Sequence, residues 1–315
     1  MEQELNQFFE NIKKNFETKY FKISNIKRIE YGLQFFVSSQ NWSELVRIYQ
    51  NKKGDLKIDL SQIKNKEHYG IIDGIVNDNI HFNHFNDELN DKLGYPIIGT
   101  DESGKGDYFG PLVAAGVLVE EDTANDLISV GVKDSKLLND SSVMRISLKI
   151  QEICKGKFAI IEISPEKYND LYEQFRREDK NLNALLAWGH AKAIEEILIL
   201  NKCSRAVSDQ FADEKYILSK LQERGKLIEL IQMPKAEKNI AVAAASILAR
   251  DRYLEKLKKL SNEFKINLPK GASHNVIDVG KTFIEHYGEE KLRKVAKLHF
   301  KTTKEIMGKQ QDKNE

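Results

Sequence analysis

Residues 97–110 read IIGTDESGKGDYFG, and PLVAAGVLV follows at 111–119. The two apolar runs predict two buried strands joined by a glycine-rich turn. From Gly99 the first stretch also runs through four residues to Gly104 and Lys105, which is most of a phosphate-binding loop of the form GxxxxGK[ST]. Position 106 is glycine, where that loop has serine or threonine.

A nucleoside-triphosphate loop explains this stretch poorly. Asp101 and Glu102 would repel a triphosphate, and Gly106 has no hydroxyl to hold Mg²⁺. The loop should also enter a helix, whose N-terminus binds phosphate, but a Gly-Pro pair and β-rich residues follow instead. A nucleotide triphosphatase is kept as an alternative that saturable ATP binding would support.

Composition limits the class of protein without indicating a partner. A chain of 315 residues predicts two domains. Its formal net charge is +1, so binding to a polyanion would depend on local patches. The only two cysteines, Cys154 and Cys203, lack the spacing of a zinc site or disulfide framework. The apolar runs are shorter than the ~20 residues of a membrane span, so we expect no membrane partner. A cytoplasmic location and a monomeric state are further expectations.

The sequence pattern divides the chain near residue 90. Residues 1–16 have helical apolar spacing, and strand-like runs follow. Residues 13–66 contain twelve Lys or Arg and five Asp or Glu, a net charge of +7. The Asn- and Asp-rich residues 67–91 resemble a connector, part of which should pack through Ile71, Ile72, Ile75 and Val76. We expect a basic, substrate-binding α+β domain over 1–90, a second domain over 91–307, and a disordered tail over 308–315.

Beyond residue 96 the pattern becomes α/β. Two adjacent strands come first, and units of strand and helix then alternate. A helix is predicted from the segment SSVMRISLKIQEIC, with Ser141 as its N-cap, and long helices follow near 181–200 and 237–260. An antiparallel start followed by parallel strands predicts a mixed sheet covered by helices.

Acidic residues follow three of the predicted strands. Asp101 and Glu102 end one strand, Asp209 ends another, and Glu237 lies just after a third. Strand ends at one edge of an open α/β sheet converge, so these four side chains could cluster. Four carboxylates could hold two divalent cations for phosphodiester hydrolysis. The alternative to a metal site is a solvent-exposed turn in which Asp101 and Glu102 have no ligand.

The motifs around these acids resemble those of the type 2 ribonucleases H, and of the ribonuclease HIII branch in particular. The matching stretches are GTDESGKGDYFGPLVAAGV (99–117), VGVKDSKLL (130–138), NLNALLAWGHAKAI (181–194), SDQF (208–211), AAASILARDRYL (243–254), LPKGAS (268–273) and AKLHFKTT (296–303). Together they spread over nearly all of residues 96–304.

The resemblance implies an RNase H-like fold and a metal-dependent endonuclease. Such an enzyme hydrolyses the RNA strand of RNA–DNA hybrids and leaves 5′-phosphate and 3′-hydroxyl ends. The resemblance assigns Asp101, Glu102, Asp209 and Glu237 as catalytic ligands of two Mg²⁺ or Mn²⁺ ions. Glutamate at the fourth position favours the ribonuclease HIII branch.

The resemblance also implies residues that bind the hybrid. Gly104, Lys105 and Gly106 would approach ribose 2′-hydroxyls, which distinguish RNA from DNA. Ser135 and Lys136 lie in a second segment that contacts substrate in the family. By its position, the N-terminal domain would resemble half of a TATA-binding protein. A non-catalytic nucleic-acid binding protein, based on the basic regions alone, is the alternative function.

Several other residues have weaker interpretations. His81 and His84 form an HxxH pattern, which we interpret as a surface feature rather than a zinc site. His190 lies within a predicted helix and is expected to be packed rather than catalytic. Trp42 and Trp188 are expected to be core residues. Tyr253 and Tyr287 are candidates for recognising an RNA–DNA junction. His299 receives no role.

Overall fold

The computed structural model of the chain describes residues 2–39, 41–51, 56–80, 93–210 and 214–308. The chain divides into two compact units, Met1–His84 and Phe85–Glu315. Each unit has its own sheet and hydrophobic core. Among the helices in these described ranges, none has the length and apolarity that crossing a membrane requires.

The N-terminal unit is an antiparallel sheet covered by two helices. Helix Glu2–Thr18 confirms the predicted first helix, and its apolar residues are buried against the sheet. The strands occur in the order β1-β2-β3-β4. Their bounds are Lys22–Ile29 for β1, Gly32–Ser38 for β2, Ser43–Gln50 for β3 and Leu56–Asp59 for β4.

Part of the predicted connector over 67–91 packs, as expected, and it does so as a helix. Helix Lys66–Ile80 occupies its first half and buries Ile72, Ile75 and Val76 in the core of the N-terminal unit. Burial of this apolar face outweighs the low helix propensity of the surrounding Asn, Asp and Gly. The HxxH pattern of His81 and His84 lies outside the described residues, as does most of the predicted tail.

The second unit is built on a five-stranded mixed sheet in the order β7-β6-β5-β8-β9. The pairs β5–β6 and β6–β7 are antiparallel, whereas β5–β8 and β8–β9 are parallel. The predicted mixed sheet flanked by helices is therefore confirmed. The strand bounds are Ile97–Ser103 for β5, Leu112–Val119 for β6, Phe158–Ile163 for β7, Arg205–Asp209 for β8 and Glu229–Met233 for β9.

The helices of this unit cover the two faces of the sheet and extend beyond its edge. Their bounds are Glu121–Ser129, Asp140–Ile153, Pro165–Arg177, Leu182–Leu200, Lys215–Leu218, Ile240–Glu263, His274–Tyr287, Glu289–Leu292 and Lys301–Ile306. Short 3₁₀ turns occupy Ser135–Leu137, Gly225–Leu227 and Ala236–Lys238.

Strand β6 shows how the two layers of helices are held. All eight of its residues are buried, and alternate side chains point to opposite faces. Val113 and Val117 join the core that contains helix Ile240–Glu263, whereas Ala114 and Leu118 join the core that contains helix Leu182–Leu200. Full burial of each large aliphatic side chain contributes about 1.5–3 kcal/mol, so this strand anchors both layers.

Gly99 allows one helix to cross the sheet at very short distance. A Cβ atom at position 99 would lie 2.2 Å from the carbonyl carbon of Ala241 and the amide nitrogen of Val242. Any side chain there would push helix Ile240–Glu263 away from β5. Glycine at 99 therefore allows the short distance between that helix and the strand that carries Asp101 and Glu102.

Two local predictions need correction. The N-cap of helix Asp140–Ile153 is Asn139, whose Oδ1 accepts a hydrogen bond from the Ser142 amide at 2.8 Å, rather than Ser141. Trp188 is 36% exposed and lies outside the buried core. Its helix has apolar residues on most sides, so periodicity could not identify the buried face. Trp42 does pack, stacked on His68 at 4.5 Å between ring centroids.

Candidate active site

The ends of two neighbouring parallel strands bring three of the predicted acids to one cleft. Thr100 of β5 pairs with Ser208 of β8, so Asp101 and Asp209 come next on adjacent strands. Asp101, Glu102 and Asp209 all line a cleft of about 520 Å³. The convergence of strand ends expected from the sequence is therefore found for these three acids.

Glu237 lies beside this cleft rather than in its lining. It is half-buried in the 3₁₀ turn Ala236–Lys238 that follows β9. The Ala236 amide donates to Asp209 Oδ1 at 3.4 Å, which holds that turn next to the end of β8. Across the described part of the chain, no three His, Cys, Asp or Glu side chains lie in positions to hold one metal ion.

Alternation along β5 gives its two acids opposite surroundings. Ile97 and Gly99 face helix Ile240–Glu263, and Asp101 follows them with a hydrogen bond to Ser246 of that helix. Ile98 faces the other layer, and Glu102 follows Thr100 on that side. Two neighbouring carboxylates are thus held by two different helices.

The pKa values of the two acids move in opposite directions. Burial, with the nearby charge of Glu102, raises the pKa of Asp101 to about 7, although the hydrogen bond from Ser246 opposes the rise. Burial would also raise the pKa of Glu102, but His190 and Lys105 together hold it below its ordinary value. The Lys105 Nζ lies 3.5 Å from Glu102 Oε1.

His190 was predicted to be packed, and it is buried, but it is also bonded to the cleft. Its Nδ1 lies 2.8 Å from Thr100 Oγ1, and its Nε2 lies 3.0 Å from Glu102 Oε2. The contact joins residues 88 positions apart. Its one signal in the sequence is a histidine within a long, mostly apolar helix.

The Gly104-Lys105-Gly106 turn lines the same cleft. Gly104 has a φ of +88°, and a Cβ atom there would lie 2.2 Å from the carbonyl oxygen of Pro111. The first glycine is therefore required by the fold itself. A Cβ atom at Gly106 would meet nothing within 4 Å, so the fold leaves open space beside the second glycine.

Ser135 and Lys136 also line the cleft, in the 3₁₀ turn Ser135–Leu137. The Asp134 carboxylate accepts from the Lys136 amide at 2.9 Å and caps this turn. The hydroxyl groups of Ser135 and Ser246 lie 2.8 Å apart, and Ser135 is buried. The Ser135 side chain therefore links the turn to helix Ile240–Glu263.

Sequence reasoning missed two cleft residues on that helix, Ser246 and Arg250. Arg250 donates to the Ser135 carbonyl oxygen and, at 2.7 Å, to Asp140 Oδ1. Lys270 Nζ donates to the other oxygen of Asp140 at 2.7 Å. The signal was available, since two polar residues four positions apart in an apolar helix share one face.

Comparison with known proteins identifies the family. The family model described as ribonuclease HII matches residues 98–303, which is more than half of the chain. The chain belongs to the ribonuclease HII family. The matched span contains Asp101, Glu102, Asp209 and Glu237. The predictions of a type 2 ribonuclease H and of a hydrolytic enzyme are thereby confirmed.

Relatives and solved structures point to the ribonuclease HIII branch of this family. Ribonuclease HIII of Protochlamydia amoebophila is 46% identical over 214 residues, which cover 68% of this chain and 69% of the relative. Ribonuclease HIII of Chlamydia caviae is 44% identical over 214 residues, 67% of this chain and 69% of the relative.

Two solved structures extend the similarity over both units. The crystal structure of Bst-RNase HIII in complex with Mn²⁺ has a TM-score of 0.63 and 26% identity, and the match covers 94% of each chain. Aquifex aeolicus RNase H3 has a TM-score of 0.53 and 27% identity, with 93% of this chain and 96% of that chain covered.

Proposed function

We propose that the chain is an endonuclease that hydrolyses the RNA strand of RNA–DNA hybrids and leaves 5′-phosphate and 3′-hydroxyl ends. The observation that carries this proposal is the meeting of three carboxylates with the Gly104-Lys105-Gly106 turn in one cleft. Family membership supports the same reaction class.

The cleft suits a divalent cation in its donor chemistry. Carboxylate oxygens are the ligands that Mg²⁺ and Mn²⁺ accept. Burial disfavours the ionised form of Asp101, a cost that a bound cation would remove. We assign Asp101, Glu102, Asp209 and Glu237 as the ligands of two such ions. Glu237 would have to turn toward the cleft, because it does not line it in this structure.

Two bound cations would activate the attacking water and stabilise the leaving 3′-oxygen. The protein's own groups prepare the substrate for that step. Lys105 places a positive charge at the cleft wall, where it can meet a phosphate. The open side of Gly106 admits a ribose, and backbone groups there can bond its 2′-hydroxyl.

The N-terminal unit is proposed to bind the hybrid through the face of its sheet that the helices leave uncovered. Residues paired across β2, β3 and β4 on this face include Gln34 with Arg47 and Tyr49 with Lys57. Arg47 Nε is buried without a hydrogen-bond partner among the described residues. Cationic and aromatic side chains on one face suit a phosphate backbone.

The central test compares Asp101→Asn with the wild-type chain on a labelled RNA–DNA hybrid. We expect cleavage to be lost and hybrid binding to be retained, because the variant removes charge without removing volume. Asp126→Asn, at an exposed position, is the matched acid-to-amide control and should cleave normally. Undiminished cleavage by Asp101→Asn would refute the assignment.

The products and substrates are tested in the same assay. Product masses should show a 5′-phosphate and a 3′-hydroxyl, and chelation of divalent cations should stop the reaction. A DNA duplex and single-stranded RNA should remain uncut. Binding of the hybrid without cleavage at any concentration of Mg²⁺ or Mn²⁺ would instead support a non-catalytic binding protein.

A further inference from the structure

The imidazole of His190 contacts both the buried Thr100 of strand β5 and the cleft carboxylate of Glu102. Its side chain is 1% exposed, and the Glu102 side chain that it contacts is 12% exposed. Thr100, the other partner, is fully buried. A buried side chain that reaches a cleft carboxylate is a candidate for fixing the position of that carboxylate.

The two contacts of His190 define how it can act. A carboxylate only accepts hydrogen bonds, so Nε2 must carry the proton that it shares with Glu102 Oε2. In the neutral imidazole, Nδ1 is then the acceptor for the Thr100 hydroxyl at 2.8 Å. The contact with Glu102 thereby selects the tautomer, the Thr100 hydroxyl holds the opposite ring nitrogen, and helix Leu182–Leu200 supplies a rigid base for the ring.

The helix lies close enough to hold the ring in place. A Cβ atom at Gly189 would lie 3.0 Å from the Ala114 Cβ on β6, so the helix backbone approaches the sheet next to His190. The ring is therefore confined between a strand and a helix. Glu102 keeps its second oxygen, Oε1, on the side of Lys105.

We propose that His190 is a positioning residue that orients the Glu102 carboxylate for cation binding, with Thr100 fixing the imidazole. The proposal rests on the proposed function, in which Glu102 is a cation ligand. Groups that hydrogen-bond to metal ligands pre-order them, and loss of such a group typically weakens metal affinity or activity by about 10–100-fold. His190 would act through Glu102 and would not touch the substrate.

The experiment measures Mn²⁺ binding by the protein without substrate, by electron paramagnetic resonance, for wild type, His190→Ala and His190→Gln. We expect His190→Ala to bind Mn²⁺ about 10–100-fold more weakly. His190→Gln should recover part of this loss, because its amide can donate to Glu102. In the cleavage assay, kcat should fall while the KM for the hybrid stays within about twofold.

Glu195→Gln is the matched control for general damage to the helix. Glu195 is also buried on helix Leu182–Leu200, and its Oε1 accepts from the Gln222 and Gly225 amides at 2.6 and 2.8 Å, away from the cleft. Thermal unfolding of all variants separates loss of stability from loss of binding. Glu195→Gln should lose stability without losing affinity for Mn²⁺.

A double-variant cycle shows whether His190 acts through Glu102. In a Glu102→Gln background, His190→Ala should weaken Mn²⁺ binding by less than twofold. An equal loss in both backgrounds, or wild-type affinity in a folded His190→Ala or His190→Gln protein, would overturn the proposal. Because binding is measured without substrate, absence of hybrid cleavage by the wild type would refute the proposed function separately.

Discussion

The buried amine of Lys297 should make the stability of the chain depend on pH between about 7 and 10.5. Lys297 is fully buried, and its Nζ donates to the carbonyl oxygens of Gly110, at 2.6 Å, and Pro111, at 3.4 Å. These carbonyls follow the turn that carries the cleft glycines. Burial lowers the pKa of Lys297 from 10.5 to about 7, although the charge of Asp107 opposes the shift.

The sign follows from proton binding in the two states. Between pH 7 and 10.5 an unfolded lysine keeps its proton while the folded one has lost it, so the free energy of unfolding rises with pH. The destabilisation is complete below pH 7 and absent above pH 10.5. At about 1.4 kcal/mol per pH unit, the full window corresponds to roughly 5 kcal/mol.

The assay is urea unfolding of the wild type and Lys297→Met at intervals from pH 6.5 to 10. The variant leaves two carbonyl groups without their donor, which costs about 1–3 kcal/mol at every pH. Other titrating groups are common to both proteins. The stability of the wild type relative to the variant should therefore grow by several kcal/mol as the pH rises.

Lys294→Met is the matched control, because Lys294 is exposed and three positions away. Its stability should differ from that of the wild type by the same amount at every pH. Parallel pH profiles for wild type and Lys297→Met would refute the reasoning, since they would mean that the buried amine keeps its proton throughout. A larger difference at low pH than at high pH would contradict the sign.

Two glycine substitutions separate packing from substrate binding. Gly99→Ala should destabilise the chain by about 3 kcal/mol in urea unfolding, because its Cβ would lie 2.2 Å from the backbone of Ala241. A change below about 1 kcal/mol would contradict the close approach. Gly106→Ala should leave stability within about 0.5 kcal/mol, because its Cβ meets nothing, yet raise the KM for the hybrid. An unchanged KM would contradict the proposed approach of a ribose.

The sequence predicted features that depend on local pattern. Continuous apolar runs located strands β5 and β6, and the position of acids at strand ends placed Asp101 and Asp209 at one cleft. Sheet topology turns such local facts into a spatial prediction, because parallel strand ends share an edge. The same pattern proposed Glu102 and Glu237, and the family resemblance assigned all four acids as metal ligands.

Features that depend on side-chain geometry were not predictable. Glu237 lies in the turn whose Ala236 amide contacts Asp209, but its side chain does not line the cleft with Asp209. The sequence pattern contains no signal for this difference. The pair of His190 and Glu102 joins two elements that periodicity treats separately. Trp188 was misplaced because a helix that is apolar on most sides gives no orientation signal.

The opposite surroundings of Asp101 and Glu102 indicate how the site can be partly ordered before any cation binds. Glu102 is held by His190, which a helix and a buried threonine support, so its carboxylate is oriented in advance. Asp101 accepts hydrogen bonds from the Ser246 side chain and from the Glu102 backbone, but burial works against its charge. Orientation of Glu102 lowers the entropy lost on cation binding, and neutralisation of Asp101 adds a favourable electrostatic contribution. Since each carboxylate depends on a different helix, the affinity of the proposed site depends on both layers of the fold.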